Sequence, residues 1–144
     1  MQKNAFAVWQ GGLKEGHGAI TTESMVLSDV PYSFGTRFES APGANPEELL
    51  AAAHSACFSM ALSSMLEKRG IYPTSVTASA NVVIDKTSEG WSITEIQLDV
   101  LVDAPILSSQ FLQIAAVAAK NTCPISRVLN TKITLNARMK THAA

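Results

Sequence analysis

Charge is scarce in this chain of 144 residues, where Asp, Glu, Lys and Arg make up 16% and apolar residues 47%. An average soluble domain carries about 25% charged residues. With so few charges to cover the surface, part of it is expected to be buried in an oligomer interface. The net charge is −1. The chain has no basic run and no basic residues interleaved with aromatics, which excludes nucleic acid as an expected partner. Long apolar runs are also missing. The run around Leu49–Ala53 is cut by His54 and Ser55, and no run reaches the roughly 18 residues a membrane span needs. The opening MQKNAFAVWQ holds no apolar core of the signal-peptide kind. A cytoplasmic protein is the expectation.

Cysteine is rarer still. Cys57 and Cys123 are the two in the chain. That is too few for a disulfide scaffold or a four-cysteine zinc site, and they do not form a CxxC pair. Cytosolic thiols stay reduced unless a disulfide belongs to a working cycle. If these two meet, tertiary structure brings them together.

The length and composition fit one domain over residues 1–144. Its first part reads as strands. AFAVWQ alternates, GGLKEGHG is a glycine-rich hairpin connection, and AITTES and PYSFGTRFE follow, separated by LSDVP. A long helix is then expected. Asn45 is a good N-cap, Pro46 fits the first helical position and Glu48 stands three past the cap. No Gly or Pro interrupts the run to Arg69, and Gly70 supplies the stop. Val76–Asp85 and Trp91–Val102 alternate as strands, the second with a slip before Ile96. KTSEG between them reads as a turn. Ser108–Asn121 is a second helix, Pro124 opens a short third one, and Lys132–Lys140 is a last strand. Strands, helix, strands, helices, strand is an α+β order.

Each cysteine has a bland reading. A mid-helix cysteine such as Cys57 is most often a small buried hydrophobe. Cys123 stands before a proline at a helix start, where free N–H groups favour a thiolate. Two sharper readings compete. In the first, His54 and Cys57, three apart on one helical face, bind a metal with Cys123. No convincing fourth ligand exists, since His17 is placed in a turn and His142 at the terminus. In the second, a thiolate attacks a peroxide or disulfide and a nearby thiol resolves the product. Such a thiolate needs a cation or helix N-terminus beside it. Arg37 and Glu47 lie near the start of the long helix. Glu47 and Cys57 are ten residues apart on it, about 15 Å along the axis and roughly 80° apart around it. One helix cannot bring them together. A second copy of the chain is the simplest way to unite them.

NPEELLAAAHSACFSMAL closely resembles the signature of the OsmC/Ohr family of peroxide-reducing proteins. WQGGLKEGHGAITTES, PYSFGTRFES and NTCPISRVLNTKITL are similar to the same family, in its order. The likeness covers nearly the whole chain. It implies an α+β fold of antiparallel sheets wrapped around long central helices, in an intertwined homodimer. It implies Cys57 as the peroxidatic nucleophile, Cys123 as the resolving cysteine, Arg37 as stabiliser of thiolate and peroxide, and Glu47 as the residue that orients Arg37, from the other subunit. GGLKEGHG lacks the arginine that the Ohr branch carries there, and Arg37 matches the OsmC branch instead. The resemblance implies an organic hydroperoxide substrate, a dithiol reductant such as a lipoylated protein, and no metal, haem or flavin. Phe34, Phe38, Phe58 and Met60 are candidates to face the hydroperoxide's tail, with core packing as their competing role. A redox sensor or binding module using the same cysteine pair is the alternative. Turnover separates the two.

Overall fold

The computed structural model describes residues 1–141. The chain divides into two compact units, Met1–Leu49 and Leu50–Ala144. His142 lies outside the described residues.

In the first unit, β1 (Ala5–Gln10), β2 (His17–Thr22) and β3 (Val30–Ser33) form an antiparallel sheet in that order. His17 is not in the turn. It begins β2, opposite Gln10. Gly18 stands between Trp9 and Tyr32 in the register, and its missing Cβ leaves room for the Tyr32 ring. The Trp9 and Tyr32 rings meet with centroids 5.3 Å apart.

The strand expected through PYSFGTRFE stops early. The chain turns after β3 into a short helix, α1 (Phe34–Phe38). Ser33 caps it: its hydroxyl accepts from the Thr36 amide at 3.2 Å, and the Thr36 hydroxyl accepts from the Ser33 amide at 3.0 Å. This is a capping box with Thr in the place usually held by Glu or Gln. The Phe34 and Phe38 rings, one turn apart, then lie 4.9 Å apart.

Helix α2 (Pro46–Glu67) opens in the first unit and continues in the second. The Asn45 side chain accepts from the Glu48 amide at 2.8 Å, the N-cap bond expected from the sequence. At the other end Ile71 N–H reaches Leu66 C=O at 3.1 Å and Gly70 N–H reaches Glu67 C=O at 2.8 Å. These two bonds form a Schellman motif, which needs a left-handed residue at position 70. Gly70 provides it with φ 72°.

Along α2 the fully buried residues are His54, Phe58, Leu62 and Leu66, one every four residues, so one stripe faces the core. The rest of the helix is also apolar, and this corrects the reading of apolar runs. Uninterrupted runs are short, yet α2 has a mean hydropathy of 1.5 over an 18-residue window and is long and apolar enough to cross a membrane. Its buried stripe, Phe58, Leu62 and Leu66, packs in the core.

In the second unit β4 (Ser75–Thr87) and β5 (Gly90–Asp103) form a long antiparallel hairpin. The register shifts at Val83/Ile84, whose partners are Glu95 and Ile93, leaving Thr94 as an extra residue. This bulge is the slip seen in the alternation, and it lets Ile93 and Ile96 keep to their pairing positions. Helices α3 (Ser109–Thr122) and α4 (Pro124–Val128) follow, then β6 (Lys132–Met139). β6 pairs parallel to β5. The sheet is therefore mixed, where antiparallel strands were expected. The two intervening helices act as the crossover that a parallel pair requires. Phe58, Leu62 and Leu66 of α2, Leu98, Val100 and Val102 of β5, and Leu112, Ala116 and Ala119 of α3 form the core.

A Cβ at Gly70 would meet nothing within 4 Å. Gly70→Ala therefore tests backbone conformation alone, and stability to urea should fall by about 1–2 kcal/mol. An unchanged midpoint would remove the role of the left-handed stop.

Candidate active site

Two pairs of side chains stand out, one in each unit. Arg37 in α1 and Glu47 in the first turn of α2 belong to the first. Arg37 Nε donates to Glu47 Oε1 at 3.0 Å and Oε2 at 3.2 Å, and Nη2 donates to Oε1 at 2.7 Å. The carboxylate thus grips one edge of the planar guanidinium and fixes its direction. The Phe38 ring lies 4.9 Å beneath the guanidinium carbon. Asn45, the cap of α2, also donates to the Thr36 carbonyl of α1 at 3.4 Å. Arg37, Phe34, Phe38, Trp9, Leu13 and Tyr32 line a cleft of about 240 Å³. Of the apolar residues expected around a substrate, Phe34 and Phe38 are in this cleft. Phe58 belongs to the buried core, and Met60 is 74% exposed.

The second pair is Cys57 and Cys123. Both are free thiols, and their sulfurs lie 3.1 Å apart. Their meeting has a local cause. Cys123 N–H closes α3 on the Ala119 carbonyl at 2.8 Å. Pro124 then bars Cys123 from helical ψ. Cys123 takes ψ 119°, ends α3 and becomes the N-cap of α4. The kink leaves its side chain fully buried against α2.

The contact between α2 and α4 is double. Three residues before Cys57 is His54, and three after Cys123 is Ser126. His54 Nε2 and Ser126 Oγ are 2.8 Å apart, one turn from the sulfur pair on both helices. His54 is fully buried, and its Nδ1 has no partner among the described residues. Burial holds the imidazole below its usual pKa, and thus neutral.

The two thiols differ. Burial pushes Cys57 up, against an amide hydrogen bond from Ile125; Cys123 raises it further. None of these influences is a cation. Burial also pushes Cys123 up, but the Ser126 amide, the Cys57 thiol, the Ser126 hydroxyl and the Ile125 amide outweigh it and leave Cys123 below its ordinary value. Access runs the other way: Cys57 is half-buried and Cys123 fully buried. A small oxidant from solvent meets Cys57 first.

His54, weighed as a metal ligand, has its Nε2 against Ser126 Oγ instead. No group of three or more His, Cys, Asp or Glu side chains suited to a metal occurs among the described residues. The His54–Ser126 bond was missed in the sequence. The only available signal was the matched spacing, three residues from each cysteine.

The family described as OsmC-like protein matches residues 38–138. Two curated relatives, each called Peroxiredoxin OsmC, come from Escherichia coli (strain K12) and Shigella flexneri. Both are 46% identical over 140 residues, covering 97% of this chain and 98% of theirs. The crystal structure of the organic hydroperoxide resistance protein OhrB of Bacillus subtilis is similar at 26% identity with a TM-score of 0.68, covering 95% of this chain and 98% of its own. An OsmC-like protein of unknown function from Vibrio cholerae shares the fold, with a TM-score of 0.75, 20% identity and coverage of 96% and 99%.

Neutral, buried His54 should make stability depend on pH. Unfolded, it takes up a proton near pH 6.5; folded, it does so only at lower pH. The unfolded state thus binds more protons in that window, and stability falls as pH drops below about 6.5. Urea unfolding from about pH 7.5 to about pH 5 should show this fall in the wild type and a shallower one in His54→Gln. Equal slopes would mean that His54 is not held neutral.

Proposed function

We propose, from the premise that the chain belongs to the OsmC family, that it is a cysteine-based peroxidase which reduces organic hydroperoxides, and hydrogen peroxide more weakly, to alcohols in defence against oxidative and osmotic stress. The observation that carries the reading is the reduced Cys57–Cys123 pair at 3.1 Å. Two thiols this close can become a disulfide with little movement of either helix.

Cys57 is the nucleophile, because it is the sulfur that solvent reaches. Its thiolate attacks the terminal peroxide oxygen, the O–O bond breaks, and the alkoxide leaves as alcohol after taking a proton. Cys57 is now a sulfenic acid. Cys123 attacks the Cys57 sulfur, the S–O bond breaks, and water leaves as the disulfide forms. A dithiol, the dihydrolipoyl group of a lipoylated protein, returns both cysteines to thiols and itself becomes a disulfide.

Burial disfavours the Cys57 thiolate and no cation offsets it. Arg37 supplies the missing charge and orients the peroxide, with Glu47 holding the guanidinium. Arg37 and Glu47 form one unit of a single chain, so they come together from the partner subunit of a homodimer. Helix geometry supports this, since ten residues of α2 separate Glu47 from Cys57, about 15 Å of rise. Exposed apolar residues support it too: Phe6 and Val8 on β1, Met60 on α2, Ile114 and Val117 on α3. The cleft beside Arg37, lined by Phe34 and Phe38, suits an apolar peroxide tail. Residues 1–144 form a single OsmC-like domain of a cytoplasmic protein.

Cys57→Ser should abolish turnover. Cys123→Ser should complete one oxidation and then accumulate sulfinic acid at Cys57, read as added oxygen by mass spectrometry. Arg37→Ala should raise the Cys57 pKa and slow peroxide reduction by about 10²-fold. An unaltered thiolate titration in Arg37→Ala would remove its role. The defining assay compares hydrogen peroxide, cumene hydroperoxide and a fatty-acid hydroperoxide with dihydrolipoate as reductant. Many turnovers, faster for the organic peroxides, are expected. One oxidation per chain, with no turnover, would make the protein a redox sensor instead.

A further inference from the structure

Helices α2 and α3 meet at two places, and the order of the meetings shows that they run in opposite directions. At one place Cys57 faces Cys123, with the sulfurs 3.1 Å apart. At the other the Arg69 guanidinium lies 5.9 Å over the Phe111 ring. Twelve residues separate the two places on each stretch of chain, about 18 Å of helical rise. An open groove of about 250 Å³ lies at the second place. It is lined by Met65, Lys68 and Arg69 where α2 finishes, and by Phe111, Ala115 and Ala118 of α3.

The groove combines apolar side chains with two cations that have charge to spare. Lys68 and Arg69 are exposed, and neither forms an ion pair among the described residues. Cations at a helix C-terminus offset its dipole, but that end carries only about half a negative charge. Two full positive charges exceed it. Glu67 does not cancel them in the groove, since it falls about 180° round the helix from Phe58, on the side away from the core. Lys68 also shares a face with the nucleophile. Cys57, Ala61, Met65 and Lys68 follow at i, i+4, i+8 and i+11, one side of a helix. The Lys68 amide still bonds the Ser64 carbonyl at 3.2 Å, so the helical turn continues to it. Cys57, Ala61 and Met65 are each partly buried against the core. Eleven residues separate Cys57 from Lys68, about 17 Å along the axis.

We propose that Lys68 and Arg69 form a carboxylate-binding site, and that its ligand is a long-chain fatty-acid hydroperoxide bound with the peroxide at Cys57. This rests on the peroxidase reading and adds to it a substrate class and a second anchor. An extended acyl chain advances about 1.3 Å per carbon, so about a dozen carbons cover about 16 Å. A fatty acid oxidised in mid-chain has that separation between its carboxylate and its peroxide. The flexible lysine stem takes up small differences in length. The carboxyl arm lies along α2 over Ala61 and Met65, and the methyl arm beyond the peroxide is the apolar tail that Phe34 and Phe38 suit.

A carboxylate anchor predicts a preference that a neutral ester loses. Linoleic acid hydroperoxide and its methyl ester are compared by steady-state kinetics with dihydrolipoate as reductant, beside cumene hydroperoxide. The wild type should favour the acid over the ester in kcat/KM, through a lower KM. In Lys68→Gln/Arg69→Gln that ratio should fall about fivefold, the scale of exposed ion pairs, with kcat for the acid retained. Lys68→Arg, which keeps the charge, should keep the ratio, and added salt should shrink it in the wild type. Calorimetric titration with linoleate below its micelle concentration needs no peroxide. It should show binding by the wild type and about fivefold weaker binding by the double variant. An acid-to-ester ratio equal in the wild type and the double variant, or linoleate binding that the double variant keeps in full, overturns the proposal. Wild type that turns over none of the three peroxides, while linoleate binding weakens as expected, would instead count against the peroxidase reading.

Discussion

Proline at position 124 denies the residue before it the helical region of backbone space, and the placement of both thiols depends on that denial. Without it α3 and α4 would be continuous, and residue 123 would be one more position on a helix. With it, Cys123 is at once the C-cap of one helix and the N-cap of the next. Its sulfur comes to rest 3.1 Å from Cys57. The same turn sets the start of α4, which sends Ser126 against His54. One backbone restriction thus produces the cysteine pair and the polar pair beside it.

The partner surface in this contact is α2, and its inward stripe has a dual character. Phe58, Leu62 and Leu66 each bury a side chain completely, worth about 1.5–3 kcal/mol apiece in transfer free energy. They hold the helix against β5 and α3. His54 occupies the end of that stripe that meets α4, with the half-buried Cys57 beside the stripe. The thiol chemistry is therefore built on a packed rod rather than on a loop, which keeps the sulfurs in register. What the rod does not supply is charge. Burial lifts the Cys57 thiol, and amides alone oppose it. The Arg37–Glu47 pair holds a guanidinium with its direction fixed and its need for a counter-ion already met. A dimer that brings this pair to Cys57 would complete the site, and the apolar side chains left exposed in the single chain provide a surface for one.

Much of this was legible in the sequence, because it is written in local chemistry. The Asn45 cap and the Gly70 stop define α2 by hydrogen bonds within a few residues. The slip before Ile96 became the bulge at Thr94. Three features escaped. Helix α1 has five residues, too short for a period to emerge, and its capping box uses Thr36. The parallel pairing of β6 escaped because alternation reports which face a side chain takes, not the direction of the neighbouring strand. His54 was weighed as a metal ligand or a packing residue because its partner, Ser126, is 72 positions away. Contacts of that range leave no mark in periodicity. Cys57, Cys123, Arg37 and Glu47 came out of the family resemblance. The structure joins them as two pairs, Arg37 with Glu47 and Cys57 with Cys123.

The central claim is that the two thiols form one redox couple within a chain. Peptide mapping of the wild-type protein, alkylated without reductant after one equivalent of an organic hydroperoxide, tests it most directly. The account predicts a single cross-linked peptide joining Cys57 to Cys123 of the same chain, which a dithiol converts back to two free thiols. Oxidised protein in which Cys57 is linked to Cys57 of a second chain, or stays a sulfenic acid while Cys123 stays a free thiol, would contradict it.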